Sequence, residues 1–238
     1  MHRDHRRELK RDKFVDEMGS LTSRARENQR FLVAVTIGVV ALALIGYGIY
    51  FYRSTRERKA QDALADAIQT IDSPLVDPAA PNPDAKFRTE QERDTRAAAM
   101  FQDIEKKYSG SDAAAVADIY LARLDGSKND VAGARTLLER FIKNHPSHLL
   151  VGGARFSLYE LRIGNGEAKQ VIAELNQELA KTETQILPPD VMLFLLANAY
   201  DAEGNAHESR AAYRRIVNQF PDSPYAMDAQ RRIGAPTT

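Results

Sequence analysis

Apolar and polar positions follow three different patterns along the chain. Residues 31–52, FLVAVTIGVVALALIGYGIYFY, have no polar face: 22 consecutive residues carry no charge and no proline. At about 1.5 Å per helical residue the run reaches roughly 33 Å, against a hydrocarbon core of about 30 Å. Backbone groups in lipid must be satisfied within the segment, so the run predicts a transmembrane helix. The second pattern follows directly. Ala60, Ala63, Leu64, Ala67, Ile68 and Ile71 recur at helical spacing, which predicts that a helix continues out of the membrane over 53–72 as a rigid stalk. Pro74, Pro78, Pro81 and Pro83 crowd residues 73–86 and predict a linker there. A helix is expected to resume near Phe87 and run to about Tyr108.

The third pattern repeats. AAMFQDIEKKYSGSDAA (98–114) aligns with RAAYRRIVNQFPDSPYA (210–226), pairing Phe101 with Tyr213, Ile104 with Ile216, Tyr108 with Phe220 and Ser111 with Ser223. TLLERFIKNHPSHLLV (136–151) sets Leu138, Phe141 and His145 in the same frame, and QVIAELNQELA (170–180) sets Ile172, Leu175 and Leu179 there. The anchors 101, 138, 172 and 213 are 37, 34 and 41 residues apart. A helical period of that length means stacked helix–turn–helix units. Ala134 and Ala168 supply small residues where paired helices approach. Gly126, Gly164, Gly166 and Gly204 suit left-handed positions after a helix. A last helix from Ser223 to Ile233 should cap the stack. No sustained period of two competes. The fold class is all-α: one transmembrane helix, then a short solenoid of helical hairpins. The layout is a basic tail (1–30), the span (31–52), the continuing helix (53–72), the linker (73–86) and the repeat domain (87–238).

Charge divides the chain although its net formal charge is zero. Residues 1–30 carry nine Lys/Arg and six Asp/Glu; residues 53–238 carry 24 and 27. A mildly acidic domain gives no reason to expect nucleic acid. Phe14, Met18 and Leu21 form a narrow apolar stripe in the tail, read either as a helix on an anionic leaflet or as a disordered tail. Arg6-Arg7 lies too far from the span for an export signal, so the span is read as a retained anchor. Close to the span the basic residues are balanced, with Arg24, Arg26 and Arg30 before it and Arg53, Arg56, Arg58 and Lys59 after. The whole tail favours an N-terminus inside and a domain outside the cytoplasm. Tyr47, Tyr50, Phe51 and Tyr52 suit the far interface. Ala34 and Gly38 give one small-xxx-small spacing as a candidate contact with another membrane helix.

Chemistry is sparse. There is no cysteine, hence no disulfide, thiol catalysis or Cys-based zinc site. His145 and His148 are spaced like metal ligands, but Pro146 intervenes and His145 fills the slot of Tyr108 and Phe220, a packing position. GNGEAK (164–169) lacks the spacing and the preceding strand of a phosphate loop. No nucleophile–base pair stands out. The reading is a non-enzyme with no cofactor, no metal and no small-molecule substrate. An anchored enzyme is retained only as an alternative.

VMLFLLANAYDAEGNAHESRAAYRRIVNQFPDSP (191–224) resembles the tetratricopeptide repeat consensus. Leu196-Ala197 give its large–small pair, Tyr200 its aromatic, Gly204 its turn, Tyr213 its second aromatic and Pro221 its closing proline. Ser209 stands where the family has a small alanine. The resemblance implies a curved groove lined by the first helix of each pair, with Arg155, Tyr159, Arg162, Phe194 and Asn198 pointing into it. The two-lysine, two-asparagine clamp some members use on a peptide carboxylate is absent. The layout as a whole resembles the bacterial ancillary Sec translocon subunits with a periplasmic repeat domain. That implies an inner-membrane protein whose span meets a translocon-like membrane complex and whose repeats meet periplasmic chaperones or emerging clients. A periplasmic scaffold for envelope assembly or cell division is the alternative.

Overall fold

The computed structural model describes residues 29–77, 79–80, 82–181 and 186–234. The stripe at Phe14, Met18 and Leu21 lies outside the described residues, as do Pro78 and Pro81. Nine helices and no named strand occur among them. The chain divides into two units, Met1–Arg56 and Glu57–Thr238.

In the first unit the described residues all belong to helix α1 (Gln29–Ile71). Its most apolar 18 residues have a mean hydropathy of 2.4, and none of that window is buried. Large apolar side chains such as Ile37, Leu42 and Tyr50 are exposed. The helix is long and apolar enough to cross a membrane. Thr36 sits in it without leaving a polar orphan, because its hydroxyl donates to the Leu32 carbonyl (2.8 Å).

The second unit opens with the last turns of α1. Ala60, Leu64, Ala67 and Ile71 are buried there against Ala97, Phe101 and Ile104 of α2 (Glu90–Lys107) and Ala113, Ala117 and Leu121 of α3 (Asp112–Ser127). The apolar face predicted over 60–71 is thus part of a core. The Glu57 carboxylate accepts from the backbone N–H groups of Asp112 and Ala113, each at 3.4 Å, an acid placed at the positive end of α3. Between α1 and α2 the proline-rich segment closes on itself. Leu75 and Phe87 form an isolated bridge, and the Val76 N–H donates to the Phe87 carbonyl (2.8 Å). Phe87 is therefore not the start of a helix. The Thr89 hydroxyl accepts from the Glu92 N–H (3.1 Å), which fixes the start of α2 at Glu90.

The remaining helices are α4 (Val131–Asn144), α5 (Val151–Gly164), α6 (Ala168–Leu179), α7 (Pro189–Ala202), α8 (Ala206–Gln219) and α9 (Ala226–Gly234). They stack as hairpins α3/α4, α5/α6 and α7/α8, with α9 packed on α8. The repeat frame is physical. Ala97, Ala134, Ala168 and Ser209 lie four residues before the anchors Phe101, Leu138, Ile172 and Tyr213, and each is essentially inaccessible. A larger residue there would push the paired helices apart. Tyr108, His145 and Phe220 occupy one slot, the C-cap of α2, α4 and α8, and each donates its N–H to the carbonyl four residues back. Gly126 departs from expectation. It lies inside α3, and the left-handed turn position is Asn129 (φ 63°). Gly204 does take that conformation (φ 72°), as expected of the residue ending α7. The cap helix starts at Ala226, three residues later than predicted, because the Ser223 side chain is committed to Asp190 (2.7 Å) and the Tyr225 N–H. Its one fully buried residue is Ala229, while Met227 is open to solvent, as an end cap requires.

Candidate protein-binding surface

The first helices of successive hairpins do not approach evenly. α5 and α7 pack closely on one another, whereas α3 and α5 do not. The gap is a trough of about 440 Å³. Val116, Ile119, Tyr120 and Arg123 of α3 form one wall, Ser157, Glu160 and Leu161 of α5 the other, and Ala134 and Leu138 of α4 the floor. Leu150 closes one end from the turn before α5. That turn is held by His148, whose Nδ1 accepts from the Leu150 N–H (3.0 Å) and whose Nε2 lies 3.0 Å from Asp112 Oδ1. With Nδ1 an acceptor, the proton of the neutral ring sits on Nε2 and points at the carboxylate. Leu149 beside it is 93% exposed.

Arg140 fixes α4 beneath the trough. Its guanidinium grips Asp118 of α3 through two bonds (3.0 and 2.6 Å) and also reaches Glu105 of α2. Burial raises the Asp118 carboxyl and Arg140 draws it back down. Three helices are joined through one side chain, with His145 stacked on Phe141 at 5.4 Å alongside.

The five residues expected in the groove are spread over α5 and α7, and each has partners inside the chain. Arg155 donates to the Ile186 carbonyl (2.8 Å). Tyr159 is buried, and burial raises its phenol. Arg162 lies over the Tyr159 ring at 5.7 Å and forks onto Glu174 (2.8 and 2.7 Å) and Glu167 (3.0 Å). These bonds raise the Arg162 guanidinium and hold the Glu174 and Glu167 carboxyls low. Asn198 accepts from the Tyr213 hydroxyl (2.9 Å). Phe194 stacks on Tyr225 with centroids 4.3 Å apart, and Phe156 lies 6.4 Å from Phe194. So Tyr225, arriving from just before the cap helix, covers α5 and α7 on this side. Ala34 and Gly38, the candidate membrane-helix contact, lie on the exposed surface of α1, and nothing stands within 4 Å of where a Gly38 Cβ would be.

Sequence reasoning missed the trough wall on α3. The signal was present: Val116, Ile119, Tyr120 and Arg123 recur at i, i+3, i+4 and i+7 beside the fully buried stripe of Ala114, Ala117 and Leu121. A helix with two apolar stripes has more apolar surface than one neighbour covers.

No curated protein matches the chain. The family model of the tetratricopeptide repeat-like domain matches residues 28–223, which takes in α1 and every hairpin through α8. Such repeat domains serve protein–protein interaction and are generally not catalytic. On the strength of that match and of a repeat frame visible in buried small residues and shared cap positions, the chain belongs to the tetratricopeptide repeat-like domain family.

Proposed function

We propose that the protein is a membrane-anchored, non-catalytic scaffold of the bacterial inner membrane. Its N-terminal tail lies in the cytoplasm and its repeat domain in the periplasm, and the trough between α3 and α5 is its binding surface. It works beside the Sec translocon, with the span against a membrane subunit at Ala34 and Gly38 and the trough open to periplasmic chaperones or emerging clients. The observation that carries the reading is the open apolar trough in a chain whose first described helix can cross a membrane. A concave trough lined mainly by apolar side chains with a few polar groups suits a binding site.

Photo-crosslinking residues placed at Ala34 and Gly38, and separately at Ile119 and Leu150, test it in native membranes. Translocon subunits are expected from the span positions, and chaperones or exported chains from the trough. Recovery of peptidoglycan or division proteins instead moves the assignment to an envelope scaffold, and recovery of unrelated partners alone removes it. Protease added outside the inner membrane should digest the 186 residues after the span once they are unfolded; protection of the unfolded domain reverses the orientation.

A further inference from the structure

We propose that His148 is a proton-operated latch on one end of the trough: its neutral ring keeps Leu150 in the trough wall, and a proton on Nδ1 withdraws it. This is a regulation of the proposed binding surface and rests on that reading. The two ring nitrogens face different elements. Nδ1 accepts from the Leu150 N–H (3.0 Å) in the turn before α5, and Nε2 lies 3.0 Å from Asp112 Oδ1 at the start of α3. One side chain thus ties together the two helices whose separation makes the trough. Leu150 has little else to hold it. It is the N-cap of α5, and no side chain caps that helix start. Gly152 and Gly153 follow and do not stiffen the first turn.

A neutral imidazole has one donor and one acceptor, whereas the charged ring has two donors. In the held turn a proton on Nδ1 would face the Leu150 N–H, donor against donor, so the cation and this turn exclude each other. Asp112 pulls the other way, because a carboxylate opposite Nε2 favours the cation. The two contacts agree for the neutral ring and conflict for the charged one. Lowering the pH through the range in which histidine gains its charge, about pH 8 to 5, therefore moves the turn from held to released. The change stays local. The bonds from the Val151 N–H to the His148 carbonyl (3.0 Å) and from the Ala154 N–H to the Leu150 carbonyl (2.9 Å) do not involve the ring. The charges around the ring come from α3 and α4. On the α3 side stands Asp112, with the Glu57 carboxylate on its backbone N–H behind it. On the α4 side Phe141 meets the ring at 5.2 Å, and the C-cap His145 is a second titratable ring at 6.4 Å. Residues 149–154, LLVGGA, carry no titratable side chain.

The test uses the full-length protein in lipid nanodiscs. The chain has no cysteine, so Lys128→Cys and Leu149→Cys, both at exposed positions, carry the only two spin labels. Pulsed electron–electron distance measurements should give one distance at about pH 8 and add a second at about pH 5. His148→Gln, which does not titrate, should give the same distribution at both. His145→Gln should keep the change, and Asp112→Asn should move it to lower pH. An unchanged distribution in the protein with His148 intact, a response that survives His148→Gln, or one that disappears with His145→Gln overturns the latch. An uncharged, end-blocked fluorescent peptide with a leucine–phenylalanine–leucine core then reads the trough. Without Leu150 in the wall it should bind about tenfold more weakly at the lower pH, and His148→Gln should remove the difference. Equal affinity at both pH values overturns the regulation. No binding at either pH overturns the trough reading instead, and the distances judge the latch separately.

Discussion

The two ends of the repeat array share one frame and present opposite surfaces. From α3 to α5 the first helices stand apart, and their apolar side chains face an open trough. From α5 to α7 the first helices are close, and Phe156, Phe194 and Tyr225 fill one another's faces. The repeat pattern therefore specifies a stack but not a groove. Whether a groove is open depends on what the first helices project and on whether a later segment folds back over it. Here that segment is the turn before α9, which brings Tyr225 onto the C-terminal half. Among the described residues, nothing equivalent reaches the N-terminal half.

Four substitutions sharpen that contrast. Phe194→Ala should cost most, about 2–3 kcal/mol. That is below the 3–5 of a fully buried ring, because Phe194 is only partly buried, and calorimetry should register a Tm drop of roughly 4–12 °C. Arg162→Ala should cost about 1–2 kcal/mol, discounted because Glu174 is partly exposed. The same cluster makes a pH prediction. A carboxyl held low in the folded state stabilises it above the unfolded pKa, and this is lost as pH falls through the folded value. With Glu174 and Glu167 held low, Tm should fall as pH drops below about 4.5, and less steeply in the Arg162→Ala protein. An identical acid slope in both would remove the cluster from the account. Asp118, raised by burial, has the opposite sign and softens the fall in both. Tyr213→Phe removes the bond to Asn198 and should cost about 1 kcal/mol. The Tyr213 phenol, pushed up to about 12 by burial, should stay protonated in a spectrophotometric titration until well above pH 10. Leu150→Ser should change stability least, within about 0.5 kcal/mol, because Leu150 is 40% exposed. It should nonetheless weaken peptide binding, whereas the costlier Tyr213→Phe should leave binding alone. If Leu150→Ser behaves like Phe194→Ala in the melt, the trough is core and not surface.

Much of this architecture was legible in the sequence, for a physical reason. The second helix of each pair buries a single stripe, so Phe101, Leu138 and Tyr213 mark it at helical spacing. The apolar run over residues 31–52 needs no partner to be read. The groove was less legible because the first helices touch neighbours on several sides. The expectation for Arg155 and Arg162 took the consensus geometry without the local charges: Glu167 and Glu174 come within reach only once α5 and α6 pair. Phe194 was expected in an open groove, and the ring that covers it lies 31 residues further on. Gly126 looked like a turn because glycine often is one, yet nothing in Leu124–Ser127 breaks the helix before Asn129.

The burial of Ala60, Leu64, Ala67 and Ile71 decides where the chain can be cut. The proline-rich segment is the obvious place to trim for a water-soluble fragment. A fragment beginning there would leave Ala97, Phe101, Ile104 and Leu121 facing solvent and α3 without the Glu57 carboxylate at its start. A cut just before Glu57 keeps both. The workable border between the apolar run and the repeat domain thus falls within one helix, at an arginine–glutamate peptide bond, with no loop to announce it.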